Sequence, residues 1–182
     1  IVARAGFASA NMHLDSLASE AREGLALGAA VDFELGHDFR LTPELWYTQK
    51  GFKHGSYYEV LFLEMKTATL SIPVVLSYHF LANSVDPRAF VGLSADVLMS
   101  AETRRTDRDW IDVADETDSL SWTLILGGGV RRGRWDLDVR YLQGLSAVTD
   151  LDYQDFDDVL SQQHKFGDAT DTTWVFTLGV WF

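Results

Sequence analysis

The stretch that most limits what this chain can fold into is its last one, Thr172 to Phe182, reading TTWVFTLGVWF. Thr172, Trp174, Phe176, Leu178, Val180 and Phe182 fall on one face, against Thr173, Val175, Thr177, Gly179 and Trp181 on the other. Period two means a strand. Its apolar face is aromatic at both ends, and no polar tail follows. A soluble domain seldom ends so, whereas a strand of about ten residues with one wholly apolar face suits a membrane-spanning β-barrel. Backbone polar groups cannot be left bare in lipid, and only helices or closed sheets satisfy them there.

The rest of the chain fits the same expectation. From Leu25 the residues Leu25, Leu27, Ala29, Val31, Phe33 and Leu35 alternate with small or charged ones, and Gly36-His37-Asp38 turns the chain. Phe39 to Lys50 returns with Phe39, Leu41, Pro43, Leu45 and Tyr47 opposite Arg40, Thr42, Glu44, Trp46 and Thr48. Gly51 to Ser56 reads as a turn, and Tyr57 to Phe80 as one long extended run. Arg88 to Ser100, Leu120 to Arg131 and Trp135 to Tyr141 alternate likewise, and Ile1 to Ala10 does so weakly. Asn11 to Glu23 reads as a loop with room for one or two helical turns, Ala101 to Asp118 as charged and patternless, and Leu145 to Asp171 as the longest loop. Pro43 and Pro73 object locally, since a proline inside a strand normally marks an edge.

The expectation is an all-β, eight-stranded antiparallel up-and-down transmembrane barrel occupying residues 1–182 as one domain. Short periplasmic turns would alternate with long extracellular loops. Hydropathy does not oppose this: the sequence is 47% hydrophobic, a bulk value that alternating strands dilute with polar residues. No run approaches the ~18 apolar residues of a transmembrane helix, and no leader-like segment opens the sequence, so an exported protein is expected to be numbered here after its leader.

Charge placement separates barrel types. On the polar faces lie Arg4, Arg40, Lys50, Arg88, Arg131 and Arg140 against Asp32, Glu34, Glu44, Asp96, Asp136 and Asp138, six of each sign. An eight-stranded lumen is only wide enough for side chains to fill, so these charges are expected to pair and plug it. The formal net charge of −12 then belongs to the long connections: Asn11 to Glu23 carries −2, Ala101 to Asp118 −4 and Leu145 to Asp171 −6. An acidic rim argues against a nucleic-acid partner. The expected surroundings are outer-membrane lipid and lipopolysaccharide.

With these strands placed, the chain resembles the bacterial outer-membrane β-barrel proteins of the PorT type. The resemblance rests on LTPELWYTQKGFK at Leu41 to Lys53, LSIPVVLSYHF at Leu70 to Phe80, AFVGLSADVL at Ala89 to Leu98, DLDVRYLQGL at Asp136 to Leu145, and the aromatic carboxy terminus. It implies the fold and a bacterial outer-membrane location, and a proline in the middle of the fourth strand, as Pro73 is. It implies little about activity.

Few residues point to chemistry. There is no cysteine, which excludes disulfides and thiolate metal sites. The five histidines, His13, His37, His54, His79 and His164, show no metal-ligand spacing. Ser161 and His164 with Asp157 or Asp158 could be drawn as a hydrolytic set, and Asp150, Asp152, Asp155, Asp157 and Asp158 as a Ca²⁺ loop. The first is three common polar residues in a long loop; the second lacks the EF-hand glycine and glutamate. Gly127-Gly128-Gly129 lies inside a strand and suits barrel curvature rather than a phosphate. The chain is therefore expected to be no enzyme and to hold no cofactor or metal. A loop enzyme acting on lipid A or peptide, and a narrow pore, are the alternatives. The sharper expectation concerns Tyr57, Tyr58, Val60, Leu61, Phe62, Leu63 and Met65, apolar on both faces and beyond what a bilayer needs. They are expected either to be covered by another loop or to receive a protein partner or a second copy.

Overall fold

The computed structural model describes residues 1–13, 20–55, 62–80, 84–105, 111–112, 120–145 and 170–182. They form ten strands: β1 (Val2–His13), β2 (Glu20–Ala30), β3 (Phe33–Gly36), β4 (Phe39–Gly55), β5 (Phe62–His79), β6 (Asp86–Arg105), β7 (Ile111–Asp112), β8 (Leu120–Arg132), β9 (Trp135–Gly144) and β10 (Thr170–Trp181). All pairings are antiparallel, and β1 bonds to both β2 and β10, closing the sheet. β2 and β3 are one barrel strand in two pieces, both paired with β4, and β7 adds only two residues to β6, so the wall has eight strands.

The interruption of β2–β3 has a cause in the sequence. Val31 and Asp32, between the two pieces, lie opposite Pro43 and Thr42 in the shared register. Pro43 has no N–H to give that neighbour, and its carbonyl accepts from Val31 N at 3.2 Å. Pro73 does the same on the other side of β4: the ladder runs Pro43↔Val74, then resumes at Trp46↔Ser71 with the register unchanged. Both prolines thus sit in interior strands, each opposite a gap in the ladder.

Registered partners traced once around the barrel run Trp135, Val180, Ala3, Ala29, Leu45, Ile72, Ala95 and Trp122, and return to β9 at Leu145, ten residues from the start. An even offset keeps every outward residue outward. With ~3.3 Å per residue and ~4.8 Å between strands, it tilts the strands by about 40°. The outer surface is apolar and exposed from Phe7, Leu25 and Leu45 to Val91, Leu126 and Leu178. Phe39, Phe80, Trp135 and Phe182 ring its lower edge, where Tyr78 packs edge-on against Phe39 and Phe80. Trp174 marks the upper edge of β10, so the eight residues to Phe182 give a band about 20 Å tall, near the ~25 Å of such barrels.

Several boundaries differ from the sequence reading. Gly51 to Gly55 is strand, paired with Phe62 to Lys66, not the expected turn, and residues 56–61 lie outside those described. Tyr57, Tyr58, Val60 and Leu61 lie there too, while Phe62, Leu63 and Met65 belong to β5. Asn11 to His13 and Glu20 to Glu23 extend β1 and β2, while residues 14–19, where the helical turn was expected, lie outside those described. Ala101 to Arg105 continues β6. Cross-strand pairing, not sequence period, holds these segments extended. Ser161, His164 and the acidic residues Asp150 to Asp158 lie outside the described residues.

Candidate functional site: the ion-paired lumen

Inward residues of β1, β4, β6 and β9 meet at the barrel axis. Arg4, Arg88 and Arg140 face Glu44, Asp136 and Asp138, all six buried. Arg4 donates to Glu44 Oε1 at 2.7 Å and to Asp136 Oδ2 at 3.0 Å, with Asp138 at 3.3 Å. Arg88 bridges Asp136 Oδ1, at 2.5 Å, and Asp138. Arg140 forks onto both oxygens of Glu44 and reaches Asp138 Oδ2 at 3.0 Å. Three cations thus meet three anions across four strands. Two indoles complete the set, Trp46 Nε1 donating to Glu44 Oε2 at 2.6 Å and Trp181 Nε1 to Asp136 Oδ2 at 3.3 Å. The Arg140 guanidinium also lies 4.8 Å from the Trp46 ring centre and 5.2 Å from that of Phe90.

Small residues make this possible. A Cβ at Gly28 would overlap the Trp46 ring, and one at Gly129 the Asp138 carboxylate. Glycine is there for close approach, not for turning.

The other expected lumen charges do not join this cluster. Asp32 accepts from Thr42 Oγ1 at 2.8 Å and lies 3.5 Å from Arg40. Glu34 approaches Arg40 at 3.7 Å, but its side chain is 78% exposed, because β3 runs out past the barrel mouth. Arg131 pairs with Asp86 at 2.9 Å and lies over Trp181. Lys50 is half-buried near the opposite end, and Asp96 accepts from Ser94 Oγ and Thr123 Oγ1, each at 2.5 Å. The sequence pattern put twelve charges on one face; tilt spreads them over the height of the barrel.

The expected lumen charges did not include Asp86, which opens β6 and finds partners at the lower mouth. His79 Nδ1 lies 2.8 Å from Asp86 Oδ1, and His79 Nε2 lies 3.1 Å from Ser77 Oγ. The signal was available: Ser77 and His79 share the inward phase of β5, and Asp86 opens the strand that returns beside them. The connectivity is that of a Ser–His–Asp triad. However, Ser77 and His79 are each 3% exposed, and the adjoining cavity, of about 10 Å³, holds about one water. The three residues fasten β5, β6 and, through Arg131, β8 at the lower mouth.

Above the ionic cluster a second cavity of about 30 Å³ is walled by Trp46, Ser71, Ser94, Asp96, Thr123 and Ile125 among others. It is room for about two waters.

A closed antiparallel sheet, apolar outside and ion-paired inside, defines a transmembrane β-barrel. The family model described as "Outer membrane protein beta-barrel domain" matches residues 1–150, and the chain belongs to that family. It is a protein of the bacterial outer membrane. No curated protein matches the chain. Solved structures of similar fold include Neisserial surface protein A, 17% identical with TM-score 0.54 over 100% of this chain and 96% of that one. The outer membrane enzyme PagL is 14% identical, with TM-score 0.53 over 100% of both chains. Ail, the attachment invasion locus protein of Yersinia pestis, solved with the heparin analogue sucrose octasulfate, is 13% identical with TM-score 0.50 over 98% and 95%. At such identities the likeness shows the fold.

Proposed function

We propose that this chain is a structural or accessory barrel with a closed lumen, which presents acidic extracellular loops and a projecting sheet to a protein partner or a second copy. The observation that carries the reading is strand length: β4, β5 and β6 run 17, 18 and 20 residues, while β1, β8, β9 and β10 run 10 to 13. A tilted strand needs about ten residues to cross the bilayer, so these three rise well beyond it. Where β6 leaves the membrane, Met99 is 59% and neighbouring Leu120 54% exposed, continuing an apolar surface upward.

Replacing Leu61 and Phe62 with Ser tests this. The barrel should still fold, while co-purification with a partner, or self-association, should disappear. Unchanged association, or an unfolded barrel, defeats the reading. Among relatives of the family we place the chain with the PorT type, on the segments around Pro43 and Pro73 and the aromatic carboxy terminus. Ail was solved with a polyanion; a chain of net charge −12 favours cationic or apolar partners instead.

A further inference from the structure

We propose that the periplasmic hairpin between β8 and β9 binds the headgroup of an anionic phospholipid in the inner leaflet, through Arg132 and Arg134. Arg131, Arg132 and Arg134 are three of the 15 lysines and arginines, and they stand within four residues of a chain whose net charge is −12. Gly133, at φ 61°, supplies the left-handed residue of a tight turn, so the two strands stay in register down to Arg132↔Trp135. Registered partners in an antiparallel pair share a face. Arg131 is therefore on the inner face with buried Asp136, and Arg132 on the outer face with exposed Trp135.

In the sequence the charges of the short turns cancel, Asp38 and Asp86 against Arg132 and Arg134. In space they do not. Asp86 is taken by Arg131 at 2.9 Å and by His79 at 2.8 Å. Asp38 belongs to the turn between β3 and β4, which two strands, β5 and β6, separate from β8 on one side, while β10 and β1 lie between on the other. It is on the far side of the barrel. Asp136, the first carboxylate of β9, is buried and bonded to Arg4 and Arg88. Arg132 and Arg134 are exposed, and neither side chain makes a hydrogen bond or ion pair among the described residues. The hairpin is thus an unmatched basic pole on the lower rim.

The outer face of the hairpin selects a lipid over a soluble anion. Val130 and its registered partner Leu137 are 41% and 58% exposed, and Trp135 is 54% exposed, so the apolar band ends immediately above Arg132. An arginine at that level lays its stem on apolar surface and holds its guanidinium among the headgroups, where an indole also settles. A guanidinium forks onto phosphate oxygens, and Arg134 at the tip of the turn adds a second charge. Val130 and Leu137 then offer the acyl chains a surface that a free anion would not use. The site lies at the opposite end of the barrel from the projecting sheet and does not depend on what that sheet binds.

The folded protein in mild detergent is mixed with equal amounts of phosphatidylglycerol and phosphatidylcholine of matched chains, and the retained lipid is counted by native mass spectrometry. An arginine near an anionic surface is worth roughly fivefold, so the two together should favour phosphatidylglycerol by about tenfold or more. Arg132→Gln with Arg134→Gln, on an exposed turn, should bring the ratio near one. Lys66→Gln, on β5 at the other end of the barrel, should leave it unchanged. In vesicles, the extra tryptophan quenching by dibrominated phosphatidylglycerol over dibrominated phosphatidylcholine should vanish in Trp135→Phe. Equal retention of the two lipids overturns the proposal, as does a preference that survives the double change or that Lys66→Gln lowers as much. Extra quenching that persists without Trp135 places the lipid elsewhere and overturns it too. Inorganic phosphate that displaces phosphatidylglycerol mole for mole would mark a site for soluble anions and refute the lipid one.

Discussion

Arg140→Met removes the guanidinium that ties Glu44 to Asp138 and covers Trp46, while keeping much of the side-chain volume. The cluster then holds two cations against three anions. Arg4 still reaches Glu44 at 2.7 Å and Asp138 at 3.3 Å, so neither carboxylate is wholly abandoned, and the cost should sit near the lower end of the ~3–5 kcal/mol typical of a broken buried pair. About 3 kcal/mol is a factor of over a hundred in the folding equilibrium. Reversible urea unfolding in lipid vesicles, read by tryptophan fluorescence, measures it, with Trp46 as a local reporter. Arg140→Met combined with Glu44→Gln restores neutrality and should be less unstable than the two single changes together. An unchanged midpoint for Arg140→Met, or strict additivity in the double variant, would refute a charge-coupled plug and imply a hydrated lumen.

Gly129→Ala should cost about 1–3 kcal/mol by overpacking against the Asp138 carboxylate, read in the same unfolding assay; a silent change would mean the strands can separate locally. The protein should fold in detergent or lipid and precipitate in plain buffer, because its exposed face carries Phe7, Leu45, Trp122 and Leu178. A monodisperse species without amphiphile would contradict the assignment of that face. Planar bilayers should show no steady conductance, since the ion-paired cluster spans the lumen; discrete, ion-selective openings would favour a pore.

The strand phases were legible because lipid imposes a strict period: every residue from Trp174 to Phe182 that the alternation pointed outward is on the outside of the wall. Above the membrane that pressure ends, which is why Gly51 to Gly55 read as a turn and Ala101 to Arg105 as patternless. Arg4 and Arg140 could be assigned to the lumen from phase alone. Which carboxylates they meet could not, since partners from Glu44 to Asp136 are set by barrel shear, a property of the closed sheet and not of any one strand. The latch of Ser77, His79 and Asp86 was hidden for a simpler reason: Asp86 precedes Pro87, and that pair reads as a turn although it opens β6.

Why the interior is ionic follows from the exterior. A strand such as β9, with Trp135, Leu137 and Val139 outward, would be apolar on both faces if Asp136, Asp138 and Arg140 were not charged. A one-residue slip in register then exchanges two equivalent faces and meets little resistance. Charged inner faces make the slip prohibitive, because it turns carboxylates and guanidiniums into lipid. Replacing all six cluster residues with apolar side chains of similar volume should therefore leave equilibrium stability unchanged or higher, as happens when buried ion pairs are substituted whole. The fraction that assembles correctly should fall, with slower folding into vesicles and mixed species by gel mobility. Assembly at the wild-type rate and yield would show that register is set by other features, such as the proline gaps opposite Val31 and Glu44 and the glycine positions beside Trp46.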